Sequence, residues 1–247
     1  MSFSFEAFSE FYSLRIGILA QRFILARMRE IWPDVRHHRL LAIGYAQPYI
    51  EDYSGQTERS VVMTPMAIDA TPWLRDEKNI LCLAKSTLQP FPYESFDRVL
   101  AIHSLEFCEN ISEMLHECWR VMKPNGRMML IVPNRMSIWA RTENCPFAYG
   151  TPYTLSQIKQ NLLDNNFRIE RQRKALFVPP FETNLMLSLS PVFEGVGGAV
   201  FKGFGGVHVI EVSKKVYASV TPDKGSAIAV ATQILAQPKP AATSYDS

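Results

Sequence analysis

The chain has 247 residues, 47% of them hydrophobic, and 26 Lys and Arg against 24 Asp and Glu give a formal charge of +2. This length and apolar content suit one large α/β domain with a buried core and exclude disorder throughout. The near-neutral, interspersed charge gives no footprint for nucleic acid or an anionic membrane surface, and the four scattered cysteines suggest neither a zinc site nor a disulfide framework, so no metal and a reducing, cytoplasmic setting are expected.

In chain order, residues 14–32 place Leu14, Ile18, Leu25, Met28 and Trp32 at three- and four-residue steps, which predicts an amphipathic helix. Glu6, Glu10, Arg15, Gln21 and Arg22 interrupt any apolar leader, so no signal peptide is expected. Short apolar runs at 39–44, 60–63, 79–84 and 96–102 read as buried strands, and Ile111 to Met122 reads as a helix with Ile111, Met114, Leu115, Cys118 and Val121 on one face. Lys123 to Gly126 predicts a tight turn before a strand over 127–132, ended by Pro133-Asn134. A helix over 154–165, a strand over 167–176 and a last strand over 207–217 follow, with residues 185–201 read as a helix and turn too broken to span a membrane. From 221 onward the composition predicts a disordered tail. The whole implies an α/β, Rossmann-like, doubly wound and mainly parallel sheet with an antiparallel last strand. As domains, residues 1–220 form one unit, with a helical segment at 1–38, a core at 39–135 and a packing part at 136–220, followed by the tail at 221–247.

Across Phe91 to Arg135, a Pro-Phe-Pro turn, a strand ending at His103, a helix ending Lys-Pro-Asn-Gly and a strand ending Pro-Asn occur in order. This block resembles the centre of class I S-adenosylmethionine-dependent methyltransferases of the type 11 group. In more detail, the chain through Tyr217 is similar to a divergent alphaproteobacterial branch with a Gly-Tyr-Ala-x-Pro-Tyr loop, here Gly44 to Tyr49. The resemblance implies S-adenosyl-L-methionine as cofactor, bound at Ile43, Gly44, Tyr45, Ala46, Thr64, Ser86, Thr87 and His103. Three departures stand out: Ala42, Thr64 and Lys85 replace the acidic residues usual at those places. A hydroxyl in place of a charged acceptor costs roughly 1.5–3 kcal/mol per hydrogen bond, or about one to two decades of affinity.

Among polar residues near the expected cofactor position, His103 is the best candidate base, because an imidazole titrates near neutrality. Lining the pocket or capping the next helix are its alternatives. Glu106 is the second catalytic candidate, to orient His103 or hold a cationic substrate, against a helix-terminal carboxylate. Asn134 and Tyr153 are candidate substrate-binding residues, the first against a turn-forming role and the second, with Tyr149, against simple loop packing. Arg168, Arg171, Arg173 and Lys174 read better as a charged sheet edge than as an anion site. The functional expectation is methylation of a small molecule of apolar character, with no nucleic-acid partner, no integral membrane segment and no assigned oligomeric state. The alternative is a binding or scaffold protein that keeps the fold with weak or no cofactor affinity.

Overall fold

The computed structural model describes residues 5–64, 74–75, 78–142, 145–180 and 205–215, all within a compact unit, Met1–Lys215. The readings for 185–201 and the tail therefore lie outside the described residues, as do residues 216–217 of the expected last strand.

Two helices open the chain, α1 (Phe5–Ser13) and α2 (Arg15–Ile31), where the periodicity predicts one helix over 14–32. The extra helix comes from Phe8, Phe11 and Tyr12, whose i, i+3, i+4 spacing buries all three. The chain turns at Leu14, whose N–H donates to the Phe11 carbonyl at 3.1 Å. Gly17 lets α1 fold back closely on α2, because a Cβ there would sit 2.0 Å from the Phe11 carbonyl oxygen.

Next come β1 (Arg39–Gly44), α3 (Gln47–Ser54) and β2 (Arg59–Thr64), then the two-residue strands β3 (Leu74–Arg75) and β4 (Lys78–Asn79), which pair antiparallel, and β5 (Leu81–Leu83). β6 (Phe96–Ile102), α4 (Ile111–Val121), β7 (Met122–Pro133), α5 (Leu155–Asp164), β8 (Phe167–Ala175) and β9 (Val207–Lys214) complete the order. The seven-stranded sheet runs β5-β2-β1-β6-β7-β9-β8, parallel except for β9, which lies antiparallel between β7 and β8. This is the Rossmann-like, doubly wound architecture expected from the sequence, including the reversed last strand.

Alternation along the strands builds two cores. Leu40, Ala42, Leu100, Ile102, Met129, Ile131, Val207 and Val209 pack beneath α1, α2 and α3. Leu41, Ile43, Val99, Ala101, Met128, Leu130, Ile210 and Val212 pack beneath α4 and α5. Burial on both faces explains why the strands read as unbroken apolar runs. The turn expected over 123–126 lies within the span of β7, where the parallel pairing jumps from Phe96–Met122 to Arg98–Arg127 and leaves Lys123 to Gly126 unpaired in the ladder. Asn110 caps α4 by accepting from the Glu113 N–H, and Thr154 with Gln157 forms a capping box on α5.

On the edge strand β8, Arg168 faces Glu170 at 3.8 Å, Arg171 faces Glu211 at 3.6 Å and Arg173 faces Glu30 at 3.6 Å. The basic cluster is thus compensated by carboxylates on its neighbours. No helix among the described residues is long and apolar enough to cross a membrane.

Candidate functional site

In a doubly wound sheet, ligands bind beyond the carboxyl ends of the strands, where the order reverses on either side of the first strand. Here that place lies between β1, with β2 and β5 on one side, and β6 on the other. Gly44 ends β1 at φ +91°, and a Cβ at this position would meet the Ile102 carbonyl oxygen at 2.2 Å. Only glycine permits both the left-handed turn and this approach. Ala46 then starts α3 without a side-chain cap, and Pro48 lies in its first turn, so the missing proline N–H leaves no helix bond unmade.

Thr64 ends β2 fully buried, and its Oγ1 has no hydrogen-bond partner. At the end of β6, Ser104 Oγ and Glu106 Oε2 are also buried and unpartnered. A buried polar atom without a partner costs stability, so three of them at the carboxyl ends of neighbouring elements suggest a ligand that satisfies them. Ser86 and Thr87 follow β5 and are half-buried, with Ser86 Oγ 3.7 Å from Cys108 Sγ.

His103 sits just past β6 with φ +48°, a strained backbone for a residue with a Cβ. Its side chain is 1% exposed, and both nitrogens are engaged: Nδ1 lies 3.2 Å from Glu106 Oε1, and Nε2 lies 2.6 Å from the Tyr12 hydroxyl. The Tyr12 oxygen in turn lies 2.7 Å from the Tyr49 hydroxyl. With the Nδ1 hydrogen donated to Glu106 Oε1, Nε2 accepts from Tyr12 and Tyr12 accepts from Tyr49, so each bond of the chain has one donor and one acceptor, and Glu106 Oε2 alone is left without a partner. Burial pushes the phenols of Tyr12 and Tyr49 well above the usual range, and their mutual contact adds to this for Tyr12.

Aromatic rings enclose this chain of hydrogen bonds. Phe8 stacks on Tyr45 with centroids 4.7 Å apart, Tyr12 stacks on Tyr45 at 5.7 Å, and Phe147 lies 5.1 Å from His103. The structure thus brings Gly44, Tyr45, Thr64, His103 and Glu106 to one end of the sheet, with Ile43 buried in the strand beneath. It adds Phe8, Tyr12, Tyr49, Ser104 and Phe147, which the sequence reading did not select. The signal for Tyr12 was the aromatic spacing in α1; nothing in the sequence marks its long-range bond to His103.

The other candidates lie on the rim. Asn134 is buried, its Nδ2 donates to the Gly205 carbonyl at 2.8 Å and its Oδ1 accepts from the Met136 N–H at 3.1 Å. This is the turn-holding arrangement weighed above. Tyr153 forms a bridge with Asn134 and is half-buried, and burial raises its phenol. The loop preceding Tyr153 is tied to the site where the Thr151 N–H donates to the Glu106 carbonyl at 2.7 Å. A separate cavity of ≈ 270 Å³, lined by Trp32, Arg98, Arg127, Arg171, Glu170 and Glu211 among others, lies toward the opposite end of these strands. Among the described residues no group of three or more His, Cys, Asp or Glu could hold a metal.

Residues 46–130 match a family profile described as a methyltransferase domain. No curated protein matches the chain. Among solved structures, the chain is similar to a methyltransferase from Thermotoga maritima described as a possible histamine N-methyltransferase, with 14% identity, a TM-score of 0.58, and coverage of 85% of this chain and 96% of that one. An S-adenosylmethionine-dependent methyltransferase from Mesorhizobium loti gives 13% identity and a TM-score of 0.54 over 76% of this chain and 96% of that one. The geranyl diphosphate C-methyltransferase of Streptomyces coelicolor, solved with S-adenosyl-L-homocysteine, gives 12% and 0.56 over 77% and 79%. At such identities these likenesses show a shared fold. The glycine turn and the unpartnered polar atoms described above would suit a bound ligand of the kind carried by the Streptomyces coelicolor enzyme.

Proposed function

We propose that the chain is an S-adenosylmethionine-dependent methyltransferase acting on a small molecule of apolar character, with its site over the carboxyl ends of β1, β2 and β6. The observation that carries this reading is the buried, unpartnered trio of Thr64 Oγ1, Ser104 Oγ and Glu106 Oε2, all within the stretch that matches the methyltransferase domain, beside the Gly44 turn just before it. When bound, S-adenosylmethionine supplies an electrophilic methyl group. The protein's part is to hold the nucleophile in line, exclude water and receive a proton. Ile43, Gly44, Tyr45 and Ala46 would form the floor, Thr64 would bond a ribose hydroxyl, and Ser86 and Thr87 would flank the adenine. His103 would take the proton at Nε2, with Glu106 holding the ring in that tautomer. Tyr153 would line the acceptor side, and Asn134 would fix its wall.

The test is calorimetric titration with S-adenosylhomocysteine. Micromolar affinity is expected, and Thr64→Asp should tighten it by about tenfold if the hydroxyl replaces a charged acceptor. No binding near millimolar concentration would turn the assignment to the scaffold alternative, for which the aromatic filling by Phe8 and Tyr45 is the structural ground.

A further inference from the structure

The environment of His103 resolves the acceptor further. With Nδ1 committed to Glu106, Nε2 is the one ring atom that can receive a proton from another molecule. The chain's own Tyr12 hydroxyl occupies it at 2.6 Å. The phenol ring is held as a bound aromatic molecule would be: nearly parallel to Tyr45 at 12°, with the Tyr49 ring across it at 87°. Tyr49 contributes a second hydroxyl contact to the same oxygen, 2.7 Å away. The seat therefore has a flat aromatic wall, two polar contacts to one oxygen and a carboxyl group behind the imidazole. That set suits a neutral phenol and disfavours an anionic ring.

The element carrying Tyr12 is suited to leave. α1 has nine residues, too few to be stable as an isolated helix in water, and it is set off from α2 by the turn at Leu14. Its inward side is held by ring packing of Phe8, Phe11 and Tyr12, contacts that an incoming aromatic molecule can replace in kind.

We propose that Tyr12 is an internal stand-in for a phenolic methyl acceptor, so that α1 plugs the acceptor seat and a phenol displaces it to present its hydroxyl to His103. This inference rests on the methyltransferase reading for its chemistry. The phenolic oxygen forms a bond to the sulfonium methyl carbon of S-adenosylmethionine as the carbon–sulfur bond breaks. The electron pair leaves with the thioether sulfur, and the phenolic proton passes to His103 Nε2.

The experiment uses p-cresol, the tyrosine side chain as a free molecule, titrated into the full chain without cofactor, with toluene as control. Tyr12→Ala should bind p-cresol at least about tenfold more tightly than the wild type, the scale of one to two hydrogen bonds. Toluene should gain less, and adding His103→Leu to Tyr12→Ala should erase the preference for p-cresol. Equal gains for both molecules would show a mere cavity and overturn the proposal, as would no gain. Should Tyr12→Ala fail to fold, Tyr12→Phe keeps the ring and frees Nε2. It should still tighten p-cresol binding over the wild type, and unchanged affinity overturns the proposal. Titration with S-adenosylhomocysteine in parallel separates the two readings: p-cresol without S-adenosylhomocysteine binding leaves the phenol seat and removes the methyltransferase. The reverse result removes the phenol seat alone.

Discussion

At Gly44 and His103 the backbone itself is shaped for the site. Gly44 takes φ +91° with the Ile102 and His103 carbonyl oxygens 2.2 and 2.7 Å from where a Cβ would lie, and His103 takes φ +48° directly opposite. Gly44→Ala should therefore cost at least about 1–2 kcal/mol from the left-handed conformation alone, with a further cost from pushing the end of β6 away. Urea unfolding checks this, and an unchanged midpoint would show that the turn can relax without cost. Gly44, Thr64 and His103 were legible in the sequence because each stands at the end of an apolar run, where strand position fixes which residue faces the rim. Tyr12 was not. Its partner lies 91 residues away, and no local pattern records a bond of that span.

Between elements, the Pro-Phe-Pro turn that carried the family resemblance has a physical anchor. Glu117 on α4 accepts from the Gln89 N–H at 2.8 Å, while Arg120 donates to the Phe91 and Gln89 carbonyls at 2.7 and 2.8 Å and pairs with Glu117 at 2.7 Å. The Arg120 guanidinium, with the Gln89 N–H, holds the Glu117 carboxyl below its ordinary value. The turn thus sets where β6 begins and, seven residues on, where His103 emerges. Removing Arg120 leaves the mostly buried Glu117 charge and two carbonyls without their donor. Arg120→Ala should cost about 3 kcal/mol, read by urea unfolding, whereas Arg120→Lys, which retains a charge but not the fork, should recover only part of it. The strands of the seven-stranded sheet, and α2, α4 and α5, were readable from apolar runs and helical period between turn residues, which need no long-range information, whereas the two-residue β3–β4 pair was not. α1 escaped because nine residues are shorter than the window over which a helical period is read, although its three buried rings decide what covers the site.

For the whole molecule, the inner position of β9 has a cost that pH can expose. His208 lies between Val132 of β7 and Lys174 of β8 in the sheet register, is 2% exposed, and neither ring nitrogen has a hydrogen-bond partner. Burial, with Lys174 and Lys159 nearby, pushes its pKa down to about 4. In the unfolded chain the same imidazole titrates near its ordinary ~6.5. Between these values the unfolded state binds a proton that the folded state refuses, so stability falls as pH drops from 7 towards 4 and levels once the folded form also protonates. From pH 7 to pH 5 this group alone should remove about 2 kcal/mol. His38 is shifted in the same direction and adds to the total, so the wild-type slope by itself does not isolate His208. The difference between wild type and His208→Leu does: urea unfolding at pH 7 and pH 5 should show the variant losing less stability by that amount. Equal losses would mean that the ring is hydrated or partnered in solution, and that β9 is less tightly enclosed between β7 and β8 than its burial indicates.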